Sequence, residues 1–238
     1  MATLSPRVLV TRAAEDAPAL AHALAMQGLA PVVVPLIRRI WEVDPLAELA
    51  RAVPVADWVL LTSAAVMDAV ALAAPGAWRG ARWAAVGAVT ARRADALGYP
   101  VAVTTAGVGV DLSAALGELR GATIVLPRGD LAGEDLPAAL RARGASVHEA
   151  LAYRNLEPTD AAARLRSALP VDFVALMSGS AATRLAALVA DPGALGQIVA
   201  SGPSTADAAR RAGLTVAGVA TVHSADGIAA LIAALHQS

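Results

Sequence analysis

The sequence of 238 residues contains no cysteine and no lysine, and all 19 of its basic residues are arginines. Without cysteine, disulfides, thiolate nucleophiles, iron–sulfur clusters and cysteine-ligated zinc are excluded. Without lysine, Schiff-base chemistry, pyridoxal phosphate attachment and the P-loop lysine are excluded. The four histidines are scattered without metal-ligand spacing. The sequence therefore leaves two alternatives: no metal site, or a site formed by histidines that only the fold brings together.

Aromatic residues make up 3% of the chain and its formal net charge is −1, so no basic, aromatic nucleic-acid surface is expected. Although 57% of residues are hydrophobic, no apolar run is long enough to span a bilayer. The nearest candidate, residues 58–78, contains Thr62, Ser63 and Asp68 and is predicted to be a strand, a turn and a helix. The first residues do not form a signal peptide, so a cytoplasmic location is expected.

An internal repeat organises the chain. Asp57 and Ser63 match Asp172 and Ser178 at a spacing of 115 residues, and several further positions match at 115 or 116. The matches at 115 also pair Gly87 with Gly202, Thr90 with Thr205, Gly98 with Gly213 and Asp111 with Asp226; those at 116 pair Arg12 with Arg128, Leu24 with Leu140, Gly28 with Gly144 and Arg38 with Arg154. The chain is therefore interpreted as a tandem duplication.

Each repeat alternates short apolar strands with helical segments. Predicted strands of the first repeat are 7–11, 31–35, 58–61, 83–86 and 101–104, and predicted helices are 16–27, 64–74, 90–97 and 111–119. Apolar strands that alternate with helices indicate parallel sheets covered on both faces. The predicted fold is α/β, with two doubly wound, flavodoxin-like domains.

One segment of each repeat interrupts the alternation of strands and helices. Residues 36–41 and about 151–157 are extended and mixed in polarity, and each precedes a proline, Pro45 and Pro158. They are read either as edge strands or as interdomain linkers. As a two-stranded linker they make one domain discontinuous: residues 1–36 plus 155–238 form one domain, and residues 37–154 form an inserted domain.

The turns that follow the predicted strands carry hydroxyls, glycines and arginines. Helix N-termini at such turns bind anions through free backbone N–H groups and the helix dipole. Helix capping explains any single turn equally well, since serine and threonine are ordinary caps. The residues predicted to bind an anionic ligand are Arg12, Thr62, Ser63, Gly87, Thr90, Arg128, Gly129, Ser178, Gly179, Ser180, Ser201, Gly202, Ser204 and Thr205.

Several short motifs together are specific to one family: residues 7–12 (RVLVTR), 57–63 (DWVLLTS), 86–91 (VGAVTA), 126–129 (LPRG), the Tyr153-Arg154 pair and, most recognisably, 201–206 (SGPSTA). Through them the sequence resembles the uroporphyrinogen-III synthase family from residue 7 to about 235. The chain departs from the family at Ala13 and Ala88, where proline is common, and at Ala65, where asparagine is common. These departures concern turns of the first repeat.

The resemblance implies a lyase that cyclises the linear tetrapyrrole hydroxymethylbilane to uroporphyrinogen III, with loss of water and inversion of ring D. It implies no metal or organic cofactor, a monomer, and a small-molecule substrate whose acetate and propionate arms suit the anion-binding turns. Tyr153 is the implied catalytic residue, as donor of a hydrogen bond or proton to the leaving hydroxyl. The resemblance implies that the product serves the synthesis of haem, sirohaem or cobalamin.

Two other functions remain alternatives. A non-catalytic two-domain protein that binds a small polyanion would have the same paired α/β domains. A phosphate-handling enzyme would use the serine and threonine turns, although the chain offers no lysine and no carboxylate cluster for Mg²⁺. Tyr153 itself also has a structural reading, as a half-buried strand residue, whereas Tyr99, Trp58 and Phe173 are predicted to be structural.

Overall fold

The computed structural model describes residues 5–106 and 109–237, in which strands and helices alternate. The strands are β1 (Arg7–Val10), β2 (Ala30–Val33), β3 (Arg38–Trp41), β4 (Trp58–Leu61), β5 (Arg82–Val86), β6 (Val101–Thr105), β7 (Thr123–Gly129), β8 (Ser146–Leu156), β9 (Phe173–Leu176), β10 (Gln197–Ala200) and β11 (Val216–Val219). The helices are α1 (Ala17–Met26), α2 (Val43–Ala52), α3 (Ala64–Ala73), α4 (Ala88–Ala96), α5 (Gly109–Ala115), α6 (Asp135–Ala142), α7 (Ala161–Ala168), α8 (Gly179–Leu188), α9 (Pro203–Arg211) and α10 (Ala225–His236).

The first of two compact units comprises the described residues up to Arg38 together with those from Leu156 onward. Its sheet has five strands in the order β2-β1-β9-β10-β11. All neighbouring pairs in this sheet are parallel. Numbered along the unit, the order is 2-1-3-4-5, which is that of flavodoxin-like folds. The predicted α/β class with parallel sheets is confirmed.

The second unit spans residues Arg39–Asn155. Its sheet has six strands in the order β3-β8-β7-β4-β5-β6. The pairs β8-β7, β7-β4, β4-β5 and β5-β6 are parallel. The edge strand β3 lies beside β8, and the Glu42 N–H donates to the Ala152 carbonyl at 3.0 Å just beyond it. The two extended segments, 36–41 and 151–157, therefore contribute strands that pair with each other.

Each sheet combines strands from both repeats. The first sheet takes β1 and β2 from the first repeat and β9 to β11 from the second, and the second sheet takes the complementary set. The matched aspartates join the repeats crosswise: the Asp57 carboxylate accepts from the Thr123 N–H at 2.8 Å, and that of Asp172 accepts from the Arg7 N–H at 2.7 Å. In each repeat, the N–H of the first residue of the first strand thus donates to an aspartate of the other repeat.

Four glycines at matched positions end helices in both repeats. Gly28 and Gly144 have φ of 76° and 85°, and Gly98 and Gly213 have φ of 80° and 85°. This left-handed conformation after a helix is the one that glycine adopts without a steric cost. The prediction that Gly28 and Gly98 terminate helices is confirmed.

Apolar side chains cover both faces of each sheet. In the first unit, Val174 and Leu9 pack on one face, and Val8 and Phe173 on the other. In the second unit, one apolar cluster likewise packs on each face of the sheet. Trp58 and Phe173, predicted to be structural, are both 4% exposed. Tyr99 is 3% exposed and its hydroxyl accepts from the Gly76 N–H at 2.8 Å, which confirms its structural role.

Some predicted element bounds were wrong. Helix α5 ends at Ala115 and not at residue 119, because the Arg143 guanidinium binds the carbonyls of Ser113, Leu116 and Gly117 and so closes the helix. Helix α4 begins at Ala88, two residues before its predicted start, directly after Gly87. Strand β2 ends at Val33, two residues before its predicted end.

Across the described residues, every helix is too short or too polar to cross a membrane.

Candidate active site

The predicted site residues of the second unit stand where its parallel strands end. Thr62 and Ser63 follow β4, Gly87 follows β5, and Gly129 ends β7. Tyr153 lies on β8 in register with Gly129. Because parallel strands end at one edge of a sheet, the sequence places these groups along a common edge.

Tyr153 is held by contacts on several sides. A β-carbon on Gly129 would lie 2.6 Å from its Cζ and 2.8 Å from its hydroxyl oxygen, so the ring rests directly on the glycine. Trp41 meets it edge to face, with ring centroids 6.2 Å apart. Its hydroxyl lies 3.2 Å from Ser63 Oγ, and either oxygen can donate. The structure therefore brings together Tyr153, Ser63 and Gly129 from the predicted set.

Ser63 has two roles at once. Its Oγ accepts from the Val66 N–H at 3.3 Å and so caps α3. The same oxygen touches the hydroxyl of Tyr153. Capping and participation in the site, which the sequence left as alternatives for this turn, are compatible because a hydroxyl oxygen accepts and donates simultaneously.

Arg128 is engaged within the protein. Its guanidinium forms ion pairs with Glu149 and with Glu134, the latter at 2.9 Å, and donates to the carbonyls of Ala132 and Gly133. Its side chain is 12% exposed. Partial burial works to lower the pKa of Arg128, but the hydrogen bonds and charges of the two glutamates outweigh it and raise that pKa. Arg128 thus fastens the loop after β7.

Glu149 completes this ion-pair group. Partial burial works to raise the pKa of its carboxyl, but hydrogen bonds from Arg128 and Arg141, with their charges, outweigh it and lower that pKa. The carboxylate therefore stays ionised at neutral pH between two guanidinium groups.

The other predicted residues of this unit differ in exposure. Thr62 is half-buried, and its methyl lies 3.9 Å from where a β-carbon on Gly109 would stand, at the start of α5. Gly87 has φ of 80°, which requires glycine, and its N–H donates to the Thr105 carbonyl at 2.7 Å. Thr90 is 5% exposed within the first turn of α4.

In the first unit, Ser178 and Ser180 surround the start of α8. Ser178 Oγ accepts from the Ala181 N–H at 3.3 Å and lies 3.2 Å from Ser180 Oγ. A β-carbon on Gly179 would lie 2.8 Å from the β-carbon of Ala208, so this glycine allows α8 and α9 to pack closely. Arg12, after β1, is 3.7 Å from Asp16 and about one-third exposed.

The turn before α9 contains both buried and exposed hydroxyls. Ser201 and Thr205 are 8% and 5% exposed, and their oxygens are 3.4 Å apart. Ser204 is exposed in the first turn of the helix. Gly202 precedes α9 in an extended conformation, and a β-carbon there would lie 2.7 Å from Nε2 of His223. Glycine at this position makes room for the imidazole.

A profile of the family described as Uroporphyrinogen-III synthase HemD matches residues 18–230. The chain belongs to the uroporphyrinogen-III synthase family. This family cyclises hydroxymethylbilane to uroporphyrinogen III. The match extends through both units and confirms the resemblance seen in the sequence. No curated protein sequence gives a significant match.

Solved structures of uroporphyrinogen-III synthases share the fold. A mutant enzyme from Thermus thermophilus is 24% identical with a TM-score of 0.70, covering 98% of this chain and all of that one. The wild-type enzyme from the same organism is 25% identical with a TM-score of 0.52, covering 98% of each chain. The Helicobacter pylori enzyme is 16% identical with a TM-score of 0.68, covering 98% of this chain and all of that one.

Sequence reasoning missed three side chains. Arg39 and Trp41 pack against Tyr153, and the alternation of β3 puts both on one face, a signal that the sequence offered. His223 packs against Gly202 from a distant loop, which no local pattern reveals. Among the described residues, no group of three histidine, aspartate or glutamate side chains is arranged to hold a metal ion.

Proposed function

We propose that this uroporphyrinogen-III synthase uses the Tyr153 hydroxyl as the proton donor to the hydroxyl that leaves hydroxymethylbilane. The observation that carries this proposal is the fixed position of the phenol, which rests on Gly129 with its oxygen 3.2 Å from Ser63 Oγ. A donor held in one geometry is what general acid catalysis needs. Ser63 keeps the phenol oriented as the proton leaves.

The proposed step balances in protons and electrons. The phenol proton passes to the oxygen of the terminal hydroxymethyl group, the C–O bond breaks with its electron pair on that oxygen, and water departs. The adjacent pyrrole nitrogen supplies electrons, and an azafulvene cation forms opposite a tyrosine phenolate. Attack through the substituted carbon of ring D gives a spiro intermediate, whose rearrangement inverts that ring. The proton lost on rearomatisation returns to the phenolate.

We infer that exposed and half-buried hydroxyls at helix N-termini bind the acetate and propionate arms of the substrate. Ser204 in α9 and Ser180 in α8 are the first-unit residues that suit this role, since free N–H groups and the helix dipole favour a carboxylate there. In the second unit, Thr62 and the N-terminus of α4 that follows Gly87 suit it. Arg128 and Gly179 are assigned structural roles, because the ion pairs of one and the close helix packing of the other account for them.

We propose that the two compact units are the domains of the protein, with boundaries close to residues 36–37 and 154–155.

The enzyme acts as a cytoplasmic monomer without a metal or organic cofactor, since proton transfer and orientation suffice for the reaction. Light scattering across a range of protein concentrations tests the monomer, and activity after exhaustive dialysis against EDTA tests the absence of a metal.

The activity is tested with hydroxymethylbilane as substrate. The product is oxidised, its absorbance is followed, and its isomers are separated by chromatography. Formation of the type III isomer, faster than the spontaneous reaction, is the expected result. A protein that binds the bilane but yields only the type I isomer at the spontaneous rate would be a binding protein, and the proposal would be wrong.

A further inference from the structure

Arg39 lies against the aromatic pair that holds Tyr153. The Cζ atom of its guanidinium is 5.4 Å from the ring centroid of Tyr153 and 5.5 Å from that of Trp41. Arg39 and Trp41 are alternate residues of β3, and Tyr153 belongs to the adjacent strand β8. The strand pairing therefore fixes a cation beside the phenol.

The neighbouring arginines of these two strands are placed differently. Arg38 is exposed, and Arg154 is exposed and ion-paired with Glu42 at 2.6 Å. Arg39 is half-buried and faces the aromatic rings. Its charge is permanent, because a guanidinium does not lose its proton in proteins. A half-buried charge is screened less by solvent and salt than an exposed one.

The position of Arg39 matters because Tyr153 gains a negative charge when it gives up its proton. A guanidinium attracts a neutral aromatic ring only through the ring's quadrupole, whereas it attracts a phenolate through a full opposite charge. The attraction therefore strengthens as the proton moves. An interaction that is stronger in the transition state than in the ground state increases kcat.

We propose that Arg39 is a positioning residue that acts through Tyr153: together with Trp41 it holds the ring in place, and it stabilises the phenolate that forms when the leaving hydroxyl is protonated. This inference rests on the proposed role of Tyr153. It assigns Arg39 no contact with the substrate, so its loss reduces kcat and leaves KM unchanged.

The test is a double-mutant cycle in the full-length enzyme with Arg39→Met and Tyr153→Phe. With an effective dielectric of about 20, a full charge pair about 5.4 Å apart corresponds to about a 200-fold change in rate. The phenolate carries only part of its charge in the transition state, so we expect kcat of Arg39→Met to be about 10- to 100-fold lower. Arg39→Lys, which keeps the charge, recovers part of the loss. In the Tyr153→Phe background Arg39→Met has no further effect, because no phenolate can form there. Arg38→Met, which removes a charge from the exposed face of the same strand, behaves as wild type.

Each outcome of the cycle has one meaning. Full kcat in a folded Arg39→Met enzyme, or an equal loss of kcat in both backgrounds, overturns the role of Arg39 and leaves that of Tyr153 standing. A raised KM with unchanged kcat shows that Arg39 binds a substrate carboxylate and also overturns the proposal. Full kcat in Tyr153→Phe instead overturns the proposed role of Tyr153. If Arg39→Met does not fold, the same comparison is made with Arg39→Gln.

Discussion

The phenol of Tyr153 occupies the space that a β-carbon on Gly129 would fill, with Cζ 2.6 Å from that position. The corresponding residues of the first repeat are Ala13 and Ile37, 116 positions earlier, and Ile37 is buried in the core of the first unit. The duplication has therefore kept the fold in both units and placed the tyrosine and its glycine in the second unit alone. We therefore propose that proton transfer takes place in the second unit.

Gly129→Ala tests this packing. The added methyl group displaces the Tyr153 ring, and kcat falls towards that of Tyr153→Phe while the fold persists. Gly80→Ala is the matched control, because nothing lies within 4 Å of a β-carbon there and its backbone does not need glycine. Steady-state kinetics and circular dichroism on both variants are the measurements. Wild-type kcat in Gly129→Ala would show that the ring position is unimportant.

Ser204→Ala and Thr205→Val separate ligand binding from stability at one turn. Ser204 is exposed, so loss of its hydroxyl raises KM by roughly tenfold, which corresponds to about 1.4 kcal/mol for a donor to a carboxylate. Thr205 is buried beside Ser201, so its substitution mainly lowers the free energy of unfolding, by about 1 kcal/mol. Urea titration and KM measurements on both variants check this contrast. An unchanged KM for Ser204→Ala would show that the Ser204 hydroxyl does not bind the substrate.

Glu149→Gln changes the pH dependence of stability. The pKa of Glu149 is lower in the folded protein than in the unfolded chain, so its ion pairs stabilise the fold fully above the ordinary glutamate pKa of about 4.3. This contribution is lost as the pH falls through the folded pKa. The Tm of the variant therefore lies below that of wild type at pH 7, and the difference shrinks towards pH 3. A constant difference across this range would contradict the assignment.

Asp57→Ala and Asp172→Ala test whether the two units are separate folding domains. Each substitution removes one hydrogen bond at the start of a strand and lowers stability by about 1 kcal/mol. Hydrogen exchange of backbone amides is expected to accelerate only in the second unit for Asp57→Ala and only in the first unit for Asp172→Ala. Acceleration throughout the chain in either variant would show a single cooperative unit.

Much of the fold follows from the duplicated pattern. The signals for the fold are local: apolar strands, glycines after helices and the aspartates that precede strands each involve a few neighbouring residues. Parallel α/β sheets can therefore be predicted from the sequence alone. Helix α2 was not predicted. Its apolar residues Leu46 and Leu49 are three apart, as a buried helical face requires, and Pro45 lies in its first turn, where proline is tolerated.

The candidate site was harder to predict, because its contacts join distant segments. Ser63 and Tyr153 are 90 residues apart in sequence, and only the pairing of β8 beside β7 and β4 brings their hydroxyls together. The position of Arg128 in a turn after a predicted strand favoured it as an anion-binding group, but that local pattern gives no sign of the carboxylates that surround it. The close approach of Ala208 to Gly179 likewise depends on helix packing.

The most direct measurement is the kcat and product isomer ratio of Tyr153→Phe, which keeps the ring and removes the hydroxyl. We expect kcat to fall by about 10²- to 10⁴-fold, the usual contribution of a positioned general acid, with KM little changed. As the enzymatic rate approaches the spontaneous one, type I product increases at the expense of type III. Tyr99→Phe is the matched control and keeps wild-type kcat, because the Tyr99 ring packs against Trp83 and its hydroxyl accepts from the Gly76 N–H. Full kcat and exclusively type III product from Tyr153→Phe would show that the hydroxyl has no part in the reaction.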